Sequence, residues 1–327
     1  MSATRNIGIL TSGGDAPGMN AVIRAFVRRA TSNNTNNNMK VFGFNRGYIG
    51  LRTGDITEMT VRSVSDILHR GGTVLRTSRD PEFKTQAGLE MAVKTCEKHN
   101  IDTVVIIGGN GSLYGARDLS NMGINCIFVP ATIDNDIGYT DYSIGFDTAL
   151  NTGVTMIDKL RDTASSHEKC NLVEVMGKKC GNLALHIGIA TGATSILVPE
   201  KSYDFQKDII NRIKFTQKIG KEHFIIIIAE GCENIIEISK KIEQDTNIHT
   251  RCTILGHVQR GGSPSARDRI IASTMGYRAA ELLINNQKNK SIFMKNNIIS
   301  DINIQESVKI SKKFDFDLLN QALNISI

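Results

Sequence analysis

Two glycine-rich turns are the parts of this sequence best suited to chemistry. The first lies in TSGGDAPGMNA, residues 11–21, and the second in IIGGNGS, residues 106–112. Glycines let backbone amides approach an anion such as a phosphate where a strand is followed by a helix. Neither turn fits the P-loop, which has a lysine, or the dinucleotide-binding GxGxxG followed by an acid. We therefore predict a phosphate cradle built from two strand ends.

A pair of carboxylates follows a third apolar run. Asp134 and Asp136 stand two residues apart in PATIDNDIGYTDYS, so their side chains need not share a face. One could take a proton from a substrate hydroxyl while the other helps to hold magnesium. Acid pairs in loops often only form turns or cap helices. The position after a predicted buried strand, beside two glycine cradles, favours the functional interpretation.

Strands and helices alternate along the chain and must position these turns. The runs IGIL, KVFGF, TVVIIGG, CIFVPAT, NLVEVMG, SILVPE and FIIIIAEG predict buried strands. Apolar residues at helical spacing predict helices in GMNAVIRAFVRRA, GSLYGARDLSNM, GFDTALNTGVTMIDKLRDTASSH and RDRIIASTMGYRAAELLI. This alternation is typical of an α/β fold with mainly parallel sheets flanked by helices. Ligands in such folds bind at the carboxyl ends of strands. The Asn-rich stretch at 32–38 predicts a solvated loop.

Composition narrows the class of protein. The chain has 327 residues, 40% hydrophobic and 22% charged, enough for about two ordinary domains. The net charge of +6 comes without a basic block and with only 6% aromatic residues, which favours anionic small molecules over nucleic acid. We expect no membrane span, because no apolar run approaches about 20 residues, and a cytoplasmic location, because the N-terminus lacks a signal pattern. The six scattered cysteines suggest a reduced protein without a zinc site.

Together these motifs resemble those of bacterial ATP-dependent 6-phosphofructokinases. The matching segments occur in the family's order from about residue 6 to 285: LTSGGDAPGMNAVIR, GGTVLRTSR, IIGGNGS, TIDNDI, IGFDTALNT, RDTASSHE, VEVMGK and ILGHVQRGGSPSARDR. The resemblance implies transfer of a phosphoryl group from Mg-ATP to the 1-hydroxyl of fructose 6-phosphate, a step of glycolysis. It also implies two α/β domains, with ATP bound by 1–144 and 258–309 and fructose 6-phosphate by 145–257 and 310–327. For 286–327 we expect a strand, a loop and a short terminal helix.

The resemblance assigns roles to matching positions, since phosphoryl transfer is mostly positioning and charge neutralisation. Asp134 becomes the base that accepts the proton from the sugar hydroxyl, while Thr132 and Arg79 steady the γ-phosphoryl group. Asp136 and Asn110 lie near magnesium. The implied ATP-binding residues are Gly13, Arg79, Asp80, Gly109, Asn110, Gly111 and Ser112.

The sugar phosphate has its own implied set. Its members are Thr132, Asp134, Lys169, Met176, Gly177, Lys178, Glu230, Arg251, His257 and Arg260. Cations near a phosphate supply charge-assisted hydrogen bonds. In the family the cations at the positions of Lys169 and Arg251 cross from a neighbouring subunit, so the resemblance implies a homotetramer.

The sequence departs from the family at the second cradle, where GGDGS becomes GGNGS. Asn110 replaces an aspartate that serves magnesium, and an amide lacks the negative charge that strengthens such a site. Three interpretations stay open: natural drift in a working enzyme, an engineered change, or an inactive paralogue that binds ligands as a regulatory subunit. The intact Asp134, Thr132 and Arg79 favour an active enzyme.

Other departures concern the phosphate grip and the donor. Lys169 and Lys178 stand where the family has arginine, so the charge remains but the planar two-point grip is lost. Gly111 stands where pyrophosphate users have an aspartate, and Ala131 matches neither donor pattern. ATP is therefore favoured, and pyrophosphate is the lesser alternative.

Family residues that bind an ADP or phosphoenolpyruvate effector are only partly kept. The matching cations are Arg24, Arg28, Arg161 and Lys221. Val61, Ile219 and Thr194 replace a family arginine, lysine and metal-binding glutamate. Effector binding and a merely solvated basic surface are both compatible with this pattern.

Overall fold

Helices and strands alternate through the chain, for which we use a computed structural model that describes residues 4–32 and 39–326. The strands are β1 (Arg5–Ser12), β2 (Met39–Phe44), β3 (Ile56–Met59), β4 (Ile101–Gly108), β5 (Asn125–Pro130), β6 (Cys170–Val175), β7 (Ser195–Leu197), β8 (Phe224–Ala229), β9 (Thr250–Ile254), β10 (Lys290–Lys295) and β11 (Ile298–Asn303). The α-helices are α1 (Met19–Ala30), α2 (Tyr48–Thr53), α3 (Gln86–Lys98), α4 (Asn110–Asn121), α5 (Phe146–His167), α6 (Asn182–Ala190), α7 (Asn211–Lys218), α8 (Ile235–Thr246), α9 (Ala266–Ile284), α10 (Ile304–Ser307) and α11 (Phe316–Ile325).

The larger sheet has the strand order β11-β10-β5-β4-β1-β2-β3. Its five central strands pair in parallel, whereas β3 and β11 pair antiparallel at the two edges. The smaller sheet has the order β7-β8-β6-β9 and is parallel throughout. The predicted α/β class with mainly parallel sheets is confirmed, and the antiparallel edges are an addition.

The chain divides into two compact units, one for each sheet. The first consists of Met1–Asp147 and Arg260–Lys312, and the second of Thr148–Gln259 and Lys313–Ile327. The assignment of ATP to the first unit and of the sugar phosphate to the second stays a proposal.

Continuous apolar strands form the cores because parallel strands covered on both faces have no wet side. In β4, Val104–Ile107 are fully buried, and in β8 the exposed fraction of Ile225–Ile228 does not exceed 1%. These are the TVVIIGG and FIIIIAEG runs, so the strand predictions hold where hydrophobicity is continuous.

The four predicted helices correspond to α1, α4, α5 and α9, with ends shifted by about one residue. The expectation for 286–327 is close, but a second strand, β11, and the short α10 were not predicted. Most of the Asn-rich loop prediction falls on residues 33–38, outside the described residues. Within the described ranges, no helix has the length and apolar character that a membrane span requires.

Candidate active site

The three predicted strand ends lie side by side along the carboxyl edge of the larger sheet, by which we mean the side where its central parallel strands end. Ser12 at the end of β1 is paired with Gly108 of β4, and Gly108 is paired with Pro130 of β5. The turns after these strands therefore start from one edge, because parallel neighbours end on the same side. The register thus brings together the two glycine turns and the segment with the carboxylate pair.

Small residues allow the two glycine turns to pack closely. A Cβ atom on Gly108 would lie 2.5 Å from both Ser12 O and Ser112 Oγ, so a larger residue does not fit here. Ser112 Oγ donates a hydrogen bond to Ser12 O over 3.0 Å and joins the turns directly. Gly13 has a φ of 88°, in the left-handed region that favours glycine. The close packing of the two turns therefore depends on small residues that belong to the glycine-rich motifs.

Helix α4 presents its amino end at this edge. Gly109 precedes the helix without a capping side chain, and the first turn contains no acidic residue. Amides in the first turn of a helix have no internal acceptor, and they carry part of the positive end of the helix dipole. The backbone amides of Asn110 and Gly111 therefore form a suitable site for a phosphate.

Asn110 links the helix to the carboxylate segment. Its Nδ2 atom donates a hydrogen bond to the backbone carbonyl of Asp136 over 3.2 Å, and a carboxylate could not make this bond. The amide oxygen is a hard donor of the kind that magnesium accepts, and Asp136 is partly exposed.

The described residues contain no group of three His, Cys, Asp or Glu side chains suited to a metal. Magnesium commonly uses one or two carboxylates together with substrate phosphates and water. The donor set of Asp136 and the Asn110 amide oxygen therefore fits this ion, although it carries less charge than a pair of carboxylates.

Thr132 and Asp134 are coupled through the backbone. The Asp134 amide donates to Thr132 Oγ1 over 3.2 Å, which fixes the threonine hydroxyl as an acceptor and leaves its own proton for another partner. Thr132 is buried and Asp134 is partly exposed. A hydroxyl donor and a carboxylate acceptor thus stand at the same turn.

Arg79 and Asp80 lie on a loop that is fastened to the first glycine turn. Thr77 Oγ1 donates to Gly13 O over 2.8 Å, which holds the loop near the end of β1. Arg79 is exposed. Asp80 pairs with Arg52 at 3.1 Å and its side chain is only 3% exposed, so its carboxylate has a structural partner.

Arg260 belongs to the first unit and contacts the same turn. Its Nη1 atom donates to Asp15 O over 3.2 Å, and it packs so closely on Gly14 that a Cβ atom there would clash with the guanidinium. The larger sheet thus gathers the residues with predicted ATP and catalytic roles, together with Arg260.

In the second unit, several residues predicted to bind sugar phosphate lie beyond the carboxyl ends of β6 and β8. Met176, Gly177 and Lys178 follow β6, and Glu230 follows β8. The Glu230 amide donates to Val175 O over 2.9 Å, which ties the two ends together. His257 lies in the short helical turn Gly256–Arg260 that follows β9. Lys178, Glu230 and His257 are exposed.

Lys169 and Arg251 lie at the other end of this sheet. Lys169 precedes the first residue of β6, and Arg251 in β9 is paired with Asn171 near the start of β6. Strand β6 has six residues, which span about 20 Å. Within one chain, the structure therefore separates these two cations from Met176–Lys178 and Glu230.

The chain is similar to known proteins over nearly its whole length. The family model described as Phosphofructokinase matches residues 6–283. The chain belongs to the phosphofructokinase family. A protein of Clostridioides difficile (strain 630) named ATP-dependent 6-phosphofructokinase is 50% identical over 323 residues, which cover 99% of this chain and 100% of that protein. A protein of Clostridium botulinum strain Hall with the same name is 50% identical over 322 residues, covering 98% of this chain and 99% of that protein.

A solved structure of phosphofructokinase from Saccharomyces cerevisiae has the same fold. It matches with a TM-score of 0.87 and 31% identity over 99% of this chain and 48% of that chain. This phosphofructokinase chain thus spans about half the length of the yeast chain and nearly the whole of the two clostridial proteins.

The cations proposed for an effector in this phosphofructokinase chain occur on both units. Arg24 and Arg28 are one turn apart on α1. In the second unit, Arg161 donates to Thr191 O and Lys221 donates to Ser326 O over 3.4 Å. Burial, followed by the charges of Arg161 and Arg212, lowers the pKa of Lys221. Arg161 and Lys221 thus belong to a cluster of like charges.

Several residues that shape these sites were missed by sequence reasoning. Gln259 is fully buried and accepts a hydrogen bond from the Met176 amide over 2.8 Å. Arg212 donates to Thr194 O, Leu323 O and Ser326 Oγ. Neither residue has a chemical signature in the sequence, because each acts through contacts with segments distant along the chain.

Proposed function

We propose that this chain transfers the γ-phosphoryl group of Mg-ATP to the 1-hydroxyl of D-fructose 6-phosphate, giving fructose 1,6-bisphosphate and ADP. The observation that carries this proposal is the 50% identity over nearly the full length to two proteins named ATP-dependent 6-phosphofructokinase. The arrangement at the larger sheet supports it, because it joins a phosphate-binding helix terminus to a carboxylate and a hydroxyl donor.

Different residues of the first unit bind ATP, accept the proton and stabilise the transferred group. The amino end of α4 and the Gly13 turn bind ATP phosphates through backbone amides. Asp134 accepts the proton of the sugar hydroxyl, while Thr132 donates to the phosphoryl group in transit and Arg79 adds positive charge. Asp136 and the Asn110 amide oxygen would hold Mg²⁺. When bound, this ion neutralises charge on the phosphates.

In the second unit, we propose that Met176–Lys178, Glu230 and His257 bind the sugar phosphate. The resemblance to phosphofructokinases assigns the same ligand to Arg260. The position of Lys169 and Arg251 at the opposite end of β6 supports a role in the site of a neighbouring copy. We therefore propose a homotetramer that acts in the cytoplasm, where a glycolytic enzyme is expected.

Effector binding is proposed for Arg24, Arg28, Arg161 and Lys221, with an anion such as ADP or phosphoenolpyruvate. Thr194 weakens this proposal, because its side chain is fully buried and cannot replace the carboxylate expected there as a metal ligand.

The test is formation of fructose 1,6-bisphosphate by the purified chain, measured with ATP and separately with pyrophosphate over a magnesium titration. Turnover with ATP that requires magnesium supports the proposal. Turnover only with pyrophosphate would change the donor. Absence of turnover with both donors, in a chain that still binds fructose 6-phosphate, would refute the enzyme and favour a ligand-binding regulatory subunit.

A further inference from the structure

A polar clasp closes the turn between Asp134 and Asp136. We define the clasp as Thr132, Asn135, Asp141 and Ser143. Asn135 Oδ1 accepts a hydrogen bond from the Ser143 amide over 2.9 Å, and its Nδ2 atom donates to Asp141 O over 3.1 Å. The Ser143 hydroxyl donates to Thr132 O over 2.7 Å and lies 3.2 Å from Asn135 Oδ1. One asparagine side chain thus connects the turn to a segment six to eight residues further on.

The backbone of Asn135 also has an unusual conformation. Its φ is 48°, in the left-handed region that residues other than glycine seldom occupy. Asparagine tolerates this region better than most residues because its short polar side chain can bond locally. Here the residue is buried, with an exposed fraction of 6%, and its side-chain bonds cross to another segment.

The clasp fixes Asp134 from both sides. On the amino side, Thr132 is held through its carbonyl by Ser143 and accepts the Asp134 amide at Oγ1. On the carboxyl side, Asn135 is held by its own side chain. Ile133 is fully buried, so the residue between Thr132 and Asp134 is anchored in the core. The backbone that carries the proposed base therefore has little freedom to shift.

We propose that Asn135 is a positioning residue for phosphoryl transfer. This inference rests on the proposed function and extends it. By closing the clasp, Asn135 holds the Asp134 carboxylate in the orientation needed to accept the sugar proton and sets its separation from Asp136. A displacement of about 1 Å at reacting groups can lower a rate about 100-fold.

The clasp requires an amide at position 135. Aspartate would keep the acceptor but lose the donor to Asp141 O, and it would add a third carboxylate between Asp134 and Asp136. Alanine would lose every side-chain bond and also strain the backbone. Glycine satisfies the positive φ without any side-chain bond. Asn135→Gly therefore separates the effect of the clasp from the effect of backbone strain.

The experiment compares Asn135→Gly with Asn297→Gly in the purified full chain. Asn297 has a φ of 61° and lies exposed in the turn between β10 and β11, so it places the same demand on the backbone far from the clasp. Steady-state kinetics give kcat and KM for fructose 6-phosphate, and titration with a nonhydrolysable ATP analogue gives its Kd. Circular dichroism melting reports the folded fraction.

We expect Asn135→Gly to lower kcat by at least ~10-fold while KM and Kd change by less than about threefold, because a misaligned base affects the transition state more than binding. Asn297→Gly should keep the wild-type kcat. Ser143→Ala removes the hydroxyl contacts to Thr132 O and Asn135 Oδ1 but keeps the bond from the Ser143 amide to Asn135 Oδ1. It should lower kcat by a smaller factor and provides the test if Asn135→Gly does not fold.

Three results would overturn the positioning role. One is an unchanged kcat in folded Asn135→Gly, and another is a loss of activity in both clasp variants that follows the lost folded fraction. The third is a KM that rises while kcat is unchanged. Wild-type chain in the same assay distinguishes the two proposals, because absence of turnover there refutes the proposed function itself.

Discussion

Replacing Asn110 by aspartate should make the chain respond to magnesium at lower concentration. The substitution removes the hydrogen bond from Nδ2 to Asp136 O and places a carboxylate at the amino end of α4. A negative charge is favourable there because of the helix dipole. Without metal, the new carboxylate is repelled by the Asp136 carbonyl. This repulsion and the lost hydrogen bond destabilise the folded chain, whereas the helix dipole stabilises it, so the free energy of unfolding changes little. With metal, the carboxylate becomes a charged ligand.

The magnitude follows from the charge that the variant adds beside the ion. Two unit charges about 4 Å apart attract by about 4 kcal/mol at an effective dielectric constant of about 20, and the divalent ion doubles this attraction. The lost hydrogen bond does not enter the difference in binding, because the variant lacks it with and without metal, and desolvation of the carboxylate and ion offsets most of the attraction. We expect a net gain of ~1.4 kcal/mol in magnesium binding, which equals a tenfold lower magnesium concentration at half-maximal response.

Two assays measure this response. Thermal unfolding with a nonhydrolysable ATP analogue, over a magnesium titration, reports metal binding without turnover, and the rate with ATP reports its effect on catalysis. The control is Asn121→Asp, which adds the same charge at the last residue of α4, about 16 Å away along the helix axis. Mass spectrometry verifies the amide at position 110 in the wild-type chain.

Equal magnesium midpoints for wild-type chain and Asn110→Asp in both assays would refute the assignment of position 110 to the metal. An equal shift in Asn121→Asp would show that the effect is general charge and not ligation. A shift in the melting titration without any change in rate would separate metal binding from catalysis.

Three further substitutions test other parts of the structure. Burial and the neighbouring Glu230 raise the pKa of Glu174, so the folded state disfavours its charged form and loses stability as pH rises through that pKa. At pH 8, Glu174→Gln should therefore have a higher melting temperature than the wild-type chain. The gain in free energy of unfolding should be about 0.5 kcal/mol for a partly exposed pair, and it should vanish near pH 4. A difference independent of pH would contradict this cause. Thr77→Val removes the 2.8 Å bond to Gly13 O and should raise the KM for ATP about fivefold, the equivalent of one hydrogen bond, with the KM for fructose 6-phosphate as the control. Lys178→Arg should lower the KM for fructose 6-phosphate about threefold, because arginine grips phosphate at two points, and an unchanged KM would place Lys178 outside the phosphate site.

The elements that the sequence predicted best are those in which a run of one residue type has a single structural explanation. Continuous apolar runs predicted the buried strands, and alternation with helices predicted parallel pairing. From this alone, the glycine turns and the carboxylate pair had to follow strand ends. Their meeting at one edge depended on the order β5-β4-β1, which periodicity does not encode.

Residues that hold the site were harder to predict. Asn135, Ser143 and Thr77 are ordinary polar residues, and their roles depend on partners six to sixty-four residues away. Strand β3 has only four residues, two of them exposed, so no clear alternation marks it. Such elements form because tertiary packing overrides weak local preference.

Strand β6 carries proposed substrate-binding residues at both of its ends, with Lys169 before it and Met176–Lys178 after it. In the proposed tetramer these two ends would serve different substrate molecules. The hydrogen-bonded backbone between them, paired on both sides with β8 and β9, is a stiff connection only six residues long. A shift of this strand on binding at one site would move the residues of the other site and change its affinity for fructose 6-phosphate. Cooperative saturation would then arise from this strand without a separate effector.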